Sequence, residues 1–262
     1  MINLSQILEQ YPRHIRVYKE SILKEYLQYK ILNSIFNSKY ANKLALLGGT
    51  ALRIIYGSTR FSEDLDFDNF DLDEKEFEDL GEIIKKDLRR EGLEVEIITV
   101  TKKAYRIKIR IPKLLFDVEL SPLVEQKILI QVDTVPQNFK YEPEKPFLNK
   151  FEVFTQINAV PKDILLAQKI YTSVNRKRAM GRDFFDIVFL YGIGAKPDIV
   201  YLKMNLNIKN IAELKVYLLK KTEKFDFDRL AKDIEPLLFN PDDKKRVVLF
   251  RDFIEKGGKW LN

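Results

Sequence analysis

The sequence predicts an α+β protein with two domains, a mixed strand-and-helix domain at residues 1–160 and a helical domain at residues 161–262. Segments with the two-residue period of strands occur only before residue 160, and segments with the spacing of amphipathic helices fill the remainder. A polar connection at 136–146, rich in proline, precedes the change. We therefore expect a sheet in the first domain and a bundle of helices in the second.

The elements of the first domain follow from apolar spacing and from the residues that interrupt it. Apolar residues recur at helical spacing through 15–37, and the alternation in 95–111 is typical of a hairpin. The predicted order is helix 15–37, strand 43–47, helix 50–56, a strand through Leu65 and Phe67, helix 74–91, hairpin 95–111 with its turn at Lys102 and Lys103, and strands 115–120, 128–135 and 151–157.

The second domain shows helical spacing throughout. The segments DILLAQKIYTSVNRK and GRDFFDIVFLYG each place apolar residues three and four apart, which is the pattern of a helix with one buried face. Further helices follow, separated by Pro197, by residues 225–228 and by Pro241. We expect these helices to form a bundle.

Composition excludes several classes of site. The chain has 262 residues, no cysteine and a single histidine, His14, so thiolate metal sites, cysteine nucleophiles and histidine triads are excluded. The absence of a long apolar run and of a basic leader predicts a cytoplasmic protein without a membrane span. The net charge of +6 and the pI of about 9.1 favour an anionic partner such as nucleic acid.

Two aspartates in the segment RFSEDLDF point to divalent-metal chemistry. Residues two apart on a strand share one face, so Asp64 and Asp66 are expected to project together while Leu65 and Phe67 point into the core. Two carboxylates this close repel each other unless a cation lies between them. Mg²⁺ prefers oxygen ligands of this kind, which predicts a magnesium site.

The segment LLGGTAL predicts a phosphate site next to those aspartates. Gly48 and Gly49 allow a phosphate to approach the backbone, the following helix offers free N–H groups, and Thr50 adds a hydroxyl. Either motif alone is typical of a turn or of a solvated strand edge. Together, a metal site beside a phosphate site indicates phosphoryl or nucleotidyl transfer.

These motifs resemble a known family. GGTALR followed by RFSEDLDF is similar to the signature of the AbiEii nucleotidyltransferase toxins, within the DNA polymerase β-like nucleotidyltransferase superfamily. LSPLVEQKILIQVDTVP, LLAQKIY, GRDFFDIVFL and DFDRLAKDIEPLL resemble later segments of that family. The resemblance runs from about residue 20 to the end of the chain. It implies a nucleotidyltransferase fold, a mixed sheet with flanking helices, followed by a C-terminal helical bundle.

The resemblance also implies three carboxylates that bind Mg²⁺. Asp64 and Asp66 are the first two, and Asp133 matches the third position best. Glu119 and Asp117 stay open as alternatives, because they are expected to share a face of the strand 115–120. The family often has another acid two residues before the third carboxylate, where this chain has Gln131, which is a poorer ligand for Mg²⁺.

Nucleotide-binding residues are implied on both sides of the first two carboxylates. Gly48, Gly49 and Thr50 are expected to bind the β and γ phosphates of an NTP, and Arg60 and Ser62 to reach the same phosphates. For Arg60, an ion pair with Glu63 or Asp64 is the alternative.

The second domain contributes a lysine, an arginine and two acids. By resemblance, Lys169 stabilises charge on the nucleotide, although an ordinary surface lysine of an amphipathic helix is the alternative. Asp183 and Asp186 share a helix face in apolar surroundings, so they require partners such as Lys169, Arg182 or substrate. Either acid is expected to act as a general base or to hold Lys169. Arg182 ends the basic run 175–182, which is either an RNA contact or a solvated loop.

The implied activity is Mg²⁺-dependent transfer of a nucleoside monophosphate from an NTP to an acceptor, with tRNA 3′ ends favoured. Such a reaction makes the protein a toxin of a toxin–antitoxin or phage-defence system, with a cognate antitoxin as a partner. Two alternatives stay open: transfer to a small molecule or a protein hydroxyl, and a scaffold that binds nucleotide or RNA without turnover.

Overall fold

The computed structural model describes residues 3–101, 104–136 and 138–257. The chain divides into two compact units, which we name by their content. The sheet unit comprises the residues up to 57 together with 61–160, and the helical unit comprises 58–60 together with the residues from 161 onward. That these units are independently folding domains with a boundary at 160 stays a prediction.

The sheet unit contains seven strands and five helices within the described residues. They are α1 (Leu4–Glu9), α2 (Lys19–Phe36), β1 (Leu44–Leu47), α3 (Gly48–Ile54), β2 (Leu65–Asn69), α4 (Glu74–Arg90), β3 (Glu96–Val100), β4 (Tyr105–Ile111), α5 (Leu114–Asp117), β5 (Ile128–Pro136), β6 (Phe147–Lys150) and β7 (Val153–Gln156). A 3₁₀ turn, Ala41–Lys43, leads into β1.

Five of the strands form one mixed sheet in the order β1-β2-β5-β4-β3. The pair β2–β5 is parallel, and the pairs β1–β2, β4–β5 and β3–β4 are antiparallel. The strands β6 and β7 form a separate antiparallel hairpin. This arrangement confirms the predicted α+β class, with a mixed sheet and flanking helices.

One face of the sheet is covered by α4 and carries the core. In β4, Ile107, Ile109 and Ile111 are buried, while the residues between them are partly or fully exposed. A Cβ atom built on Gly81 of α4 lies 3.3 Å from Thr99 Oγ1 and 3.5 Å from Ile107 Cδ1, so this helix packs directly on β3 and β4. The alternation in YRIKIRI therefore encodes a half-buried strand with a polar second face.

The helical unit contains seven helices within the described residues. They are α6 (Lys162–Asn175), α7 (Gly181–Gly192), α8 (Ile199–Leu206), α9 (Ile211–Lys221), α10 (Phe227–Ile234), α11 (Lys245–Val248) and α12 (Phe250–Lys256). Its core is aromatic: the Phe184 ring makes edge contacts with Phe225, Phe227 and Phe250 at centroid distances of 4.8–5.9 Å. The predicted helical character of this half is confirmed.

One predicted strand is wrong. Residues 115–120 do not form a strand: the segment begins as the short helix α5, and Glu119 has a left-handed φ of 58°. The N–H groups of Leu120 and Ser121 both donate to the carbonyl of Leu115, so local turns use groups that a strand would pair. A short apolar run does not distinguish a strand from a helix by its period, which is the reason for the error.

Other differences are smaller. Helix α1 and strand β6 were not predicted, and the helix expected at 15–37 begins only at Lys19. The turn predicted at Lys102 and Lys103 lies outside the described residues. Among the residues that the structure describes, no helix is long and apolar enough to cross a membrane.

Candidate active site

Asp64 and Asp66 lie at the start of β2, as the two-residue period predicts. Strand β2 begins at Leu65, which is fully buried, whereas Asp64 and Asp66 are both intermediate in exposure. The Thr50 hydroxyl of α3 donates to the backbone carbonyl of Asp64 at 2.5 Å. This bond links α3 to Asp64. It uses the hydroxyl proton of Thr50, which we expected from the sequence to donate to a phosphate.

Gly48 lies directly against the second aspartate. Its φ is +75°, and a Cβ atom at this position would come within 2.5 Å of Asp66 Oδ2. The glycine is required both for the left-handed backbone and for the space that the carboxylate occupies. The GG motif and the DxD motif, separate in sequence, therefore form one site.

Strand register brings the predicted third carboxylate beside the first two. Asp66 of β2 is directly opposite Asp133 of β5 in the parallel pair, and Leu65 is opposite Val132. Residues directly opposite in a ladder share one face, so Asp66 and Asp133 project to the same side. Asp117 and Glu119 both precede β5, in which Asp133 is the sixth residue. The geometry favours Asp133 over these two alternatives.

Gln131 contacts Asp64. Its backbone N–H and its side-chain amide donate to Asp64 Oδ1 at 3.3 and 3.4 Å. Burial raises the pKa of Asp64 above its ordinary value, the two donors from Gln131 lower it, and the charges of Glu63 and Asp133 raise it again. The net shift is upward, because burial and the two neighbouring acids outweigh the two donors from Gln131.

Arg106 is a site residue that the sequence analysis missed. It is opposite Asp133 in the β4–β5 ladder, and its Nε and terminal nitrogen donate to the two Asp133 oxygens at 2.6 and 2.7 Å. The hydrogen bonds that Arg106 donates to Asp133, followed by the charge of Asp133 and those of Asp64 and Asp66, raise the pKa of Arg106. The alternation in YRIKIRI predicts the face of the sheet on which Arg106 lies, but it does not predict that Asp133 is its partner.

The donor set fits a divalent cation in part. Asp64 and Asp66 offer carboxylate oxygens of the type that Mg²⁺ binds, with Gly48 leaving room for one of them. Both oxygens of Asp133, by contrast, accept from Arg106. Within residues 3–101, 104–136 and 138–257, no group of three or more acidic or histidine side chains is arranged to hold a metal. Asp64 and Asp66 are the residues that would bind a cation here, and a metal role for Asp133 stays a prediction.

Ser62 lies two residues before Asp64 and is partly exposed. Its carbonyl accepts a bond from the Gln28 side chain at 2.9 Å, and its hydroxyl makes no hydrogen bond with the residues that the structure describes. A hydroxyl in this position keeps its capacity to bind a phosphate, so the role of Ser62 stays a prediction.

Within the helical unit, Asp186 is the centre of a buried ion-pair group. Arg60 donates through Nε and a terminal nitrogen to both carboxylate oxygens at 2.7 and 2.6 Å, and Lys169 Nζ lies 2.8 Å from Oδ2. Asp186 is fully buried and Arg60 is 2% exposed. Burial alone would raise the pKa of Asp186, but the charges of Arg60 and Lys169 lower it below its ordinary value.

This pairing corrects the alternative offered for Arg60. Its ion-pair partner is Asp186, which is 126 residues away in sequence, rather than the neighbouring acids Glu63 or Asp64. The guanidinium that was expected to reach a phosphate is bidentate on a buried carboxylate. Its phosphate role stays a prediction that this geometry does not support.

Asp183 is the least satisfied carboxylate of the helical unit. It is fully buried in the first turn of α7, and neither carboxylate oxygen has a hydrogen-bond partner among the described residues. Lys169 Nζ lies 3.7 Å from one oxygen and Arg176 Nε lies 3.4 Å from the other. Lys169 thus lies between Asp183 and Asp186, which are the two acids predicted to need it as a partner. The oxygens of Asp183 can still accept hydrogen bonds.

The basic run before α7 is only partly engaged. Arg176 pairs with Asp183, and Arg178 lies 3.4 Å from Asp233. The side chain of Arg182 makes no hydrogen bond or ion pair with the described part of the chain. A Cβ atom on Gly181 would come within 1.9 Å of the Leu230 carbonyl, which explains the glycine of the GRDFFD segment as a close contact with α10.

Comparison with known proteins agrees with this geometry. The family profile described as nucleotidyl transferase AbiEii toxin, type IV toxin–antitoxin system, matches residues 30–252. The nucleotidyltransferase toxin MenT4 of Mycobacterium tuberculosis is similar in structure, with a TM-score of 0.61 and 16% identity over 100% of this chain and 94% of that chain.

A second solved structure shows the same fold. JHP933 from Helicobacter pylori has a TM-score of 0.52 and 19% identity over 93% of this chain and 97% of that chain. No curated protein sequence matches the chain. Since the family profile covers most of the chain and the site contains the expected motifs, the chain belongs to the AbiEii family of nucleotidyltransferase toxins.

Proposed function

We propose that this nucleotidyltransferase transfers a nucleoside monophosphate from an NTP to the 3′ end of tRNA in a Mg²⁺-dependent reaction. The observation that carries the proposal is the packing of Asp66 against Gly48, with Asp133 opposite in the ladder. It joins a carboxylate pair to a glycine turn within one unit. Cation binding and phosphate binding at adjacent positions are what nucleotidyl transfer requires.

In this proposal Asp64 and Asp66 bind the cation. When bound, Mg²⁺ neutralises the phosphate charge and lowers the pKa of the attacking hydroxyl. Gly48 and Gly49 allow close approach of the β and γ phosphates to the backbone, and Ser62 offers a hydroxyl beside them. Thr50 positions Asp64 through its bond to the Asp64 carbonyl.

The acceptor is a terminal ribose hydroxyl. Its oxygen forms a bond to the α phosphorus, the bond from that phosphorus to the bridging oxygen breaks, and pyrophosphate leaves with the bond electrons. The hydroxyl proton passes to a general base. Of the two acids predicted for this role, Asp183 is favoured, because Asp186 already accepts from Arg60 and Lys169. Lys169 and Arg182 stay in the proposal as residues implied by the resemblance to interact with the nucleotide.

Biological roles follow from the family. A type IV toxin–antitoxin description implies a cognate antitoxin that is encoded with the toxin. The basic composition, with a net charge of +6, supports an RNA acceptor. Blocking or extending tRNA 3′ ends in the cytoplasm would stop translation, and this effect would serve a growth-control or phage-defence system.

The proposal is tested by label transfer from each α-³²P-NTP, with Mg²⁺, to total bacterial tRNA. Wild type, Asp64→Ala and the control Glu63→Gln are compared; Glu63 is exposed and adjacent, and its pairing is with Lys24. Label on tRNA with wild type and the control, but not with Asp64→Ala, is expected. Label on a small molecule or a protein in place of tRNA would contradict the acceptor, and no label on any of these acceptors would contradict the reaction.

A further inference from the structure

The face of the sheet that carries the carboxylates continues as an open surface beyond them. On β4, Arg106, Lys108 and Arg110 alternate with the buried isoleucines, so all three project to the face opposite α4. The ladder places Arg106 opposite Asp133 and Lys108 opposite Gln131. A row of three basic side chains therefore begins at the candidate active site and leads away from it.

The strands on both sides of this row expose aliphatic side chains on the same face. Ile98 and Val100 of β3 are opposite Lys108 and Arg106, and Leu129 of β5 is opposite Arg110. Their exposed fractions are 43%, 41% and 40%. We name the surface formed by these six residues the open face. It is part of the sheet unit alone.

The three basic side chains of the open face differ in whether they already have an acidic partner. Arg106 is paired with Asp133, whereas the side chain of Lys108 makes no hydrogen bond or ion pair with any residue that the structure describes. Arg110 lies near Glu96, but Glu96 is itself paired with Lys127 at 2.8 Å. The end of the row farther from Asp133 thus carries the basic side chains of Lys108 and Arg110, with the acid Glu96 opposite Arg110 already paired with Lys127.

We propose that the open face binds the backbone of the acceptor RNA, with Lys108 and Arg110 contacting successive phosphates. This inference rests on the proposed function and adds to it the surface along which the acceptor strand reaches Asp64 and Asp66. Residues two apart on a strand are about 6.6 Å apart, so Lys108 and Arg110 span a short stretch of single strand rather than a duplex groove.

The positive charge of the open face favours a polyanion over a protein as its ligand. The aliphatic residues of the open face would suit either one, but two unengaged or partly engaged basic side chains beside them favour phosphates. The six residues include no aromatic side chain, so stacking of bases on aromatic rings is not available to them. Recognition by this surface is therefore expected to be insensitive to sequence and strongly dependent on salt.

The test is fluorescence anisotropy of a labelled single-stranded RNA 12-mer, and of labelled tRNA, over a range of salt concentrations. Wild type is compared with Lys108→Gln/Arg110→Gln and with the control Lys75→Gln/Lys86→Gln. The control removes two exposed charges from α4, on the other side of the sheet. A third variant, Lys108→Arg/Arg110→Lys, keeps both charges. Folding of each variant is checked by far-UV circular dichroism.

The open-face double variant is expected to bind RNA at least tenfold more weakly at low salt, with a salt slope shallower by about 1.4, which is 0.7 per lost phosphate contact. The control and the charge-keeping variant are expected to bind like wild type. Equal affinity of wild type and the open-face variant would overturn the inference, even if label transfer to tRNA succeeds. If wild type neither binds RNA nor labels it, the proposed acceptor itself fails.

Discussion

The carboxylates of the two units differ in what surrounds them. Asp186 of the helical unit is fully buried, accepts from Arg60 and contacts Lys169, and its pKa is lowered. Asp64 of the sheet unit is only partly buried, its side chain accepts two long hydrogen bonds from Gln131 at 3.3 and 3.4 Å, and its pKa is raised. Burial raises the pKa of both carboxylates, and the two shifts have opposite signs because only Asp186 has cationic partners, Arg60 and Lys169, that outweigh burial.

This difference separates a carboxylate that stabilises a fold from one prepared for a ligand. A buried ion pair is stabilised only while both partners remain, so Asp186 supports the helical unit through Arg60 and Lys169. A partly buried carboxylate beside other acids stores unfavourable energy, which a bound cation relieves. Both groups come from short acidic motifs that look alike in sequence.

The largest expected effect is the loss of stability in Asp186→Asn. The substitution leaves the buried Arg60 guanidinium without its bidentate acceptor, and breaking a buried pair in this way costs about 3–5 kcal/mol. Urea unfolding at neutral pH measures the change. Asp64→Asn is the comparison: Asp64 is only partly buried, and asparagine keeps an oxygen that can accept from Gln131, so we expect the free energy of unfolding to stay within about 0.5 kcal/mol of wild type. Equal losses in both variants would remove the distinction between the two groups.

The stability difference between wild type and Asp186→Asn is expected to depend on pH. The folded-state pKa of Asp186 is below its unfolded value, so its contribution is fully present above the ordinary carboxyl pKa of about 4 and is lost as pH falls through the folded value. Urea unfolding at pH 7, 5, 4 and 3 should show a constant difference down to about pH 5 and a shrinking one below it. A difference that stays constant to pH 3 would contradict the lowered pKa.

Gly48→Ala tests the contact that joins the two sheet-unit motifs. Gly48 and Gly57 have φ values of +75° and +74°, but only a Cβ on Gly48 meets a neighbour, Asp66 Oδ2. Both alanine variants are expected to lose about 1–2 kcal/mol of stability from the left-handed backbone. Nucleotidyl transfer should fall by at least tenfold only in Gly48→Ala. Retained activity in that variant would show that the position of Asp66 is not critical.

The smallest expected effect concerns Arg106→Gln. This substitution frees the Asp133 oxygens, but the Arg106 side chain is 46% exposed, and exposed pairs are worth less than about 1 kcal/mol. We therefore expect Mn²⁺, measured by calorimetry as a probe for Mg²⁺, to bind up to about fivefold more tightly. Arg110→Gln, on the same strand and face, is the control. Weaker Mn²⁺ binding in Arg106→Gln would mean that Arg106 organises the site rather than competing with a cation.

The sequence predicts the parts of this site that depend on local period and on short motifs. Alternation through Leu65 and Phe67 was sufficient to place Asp64 and Asp66 on one face, and the glycine pair marks the sharp turn. Asp133 was identified by the resemblance, because alternation alone does not distinguish it from other acids on predicted strands as the third carboxylate. Helical spacing identified Asp183 and Asp186 as a buried pair in need of partners.

The remaining features depend on contacts between distant segments. The pairing of Arg60 with Asp186 joins residues 126 positions apart, and the pairing of Arg106 with Asp133 requires the register of β4 on β5. Neither register nor distant packing is encoded in the period of one segment. The wrong strand at 115–120 has a local cause, because a three-residue apolar run is ambiguous between strand and helix.

The most direct test of the account is calorimetric binding of Mg²⁺ with a non-hydrolysable NTP analogue to wild type, to Asp64→Asn/Asp66→Asn and to the control Glu63→Gln. The account predicts tight binding by wild type and the control, and a loss of at least about 100-fold in the double variant, since both proposed ligands are removed. Binding by the double variant equal to that of wild type would contradict the assignment of Asp64 and Asp66 as the metal site.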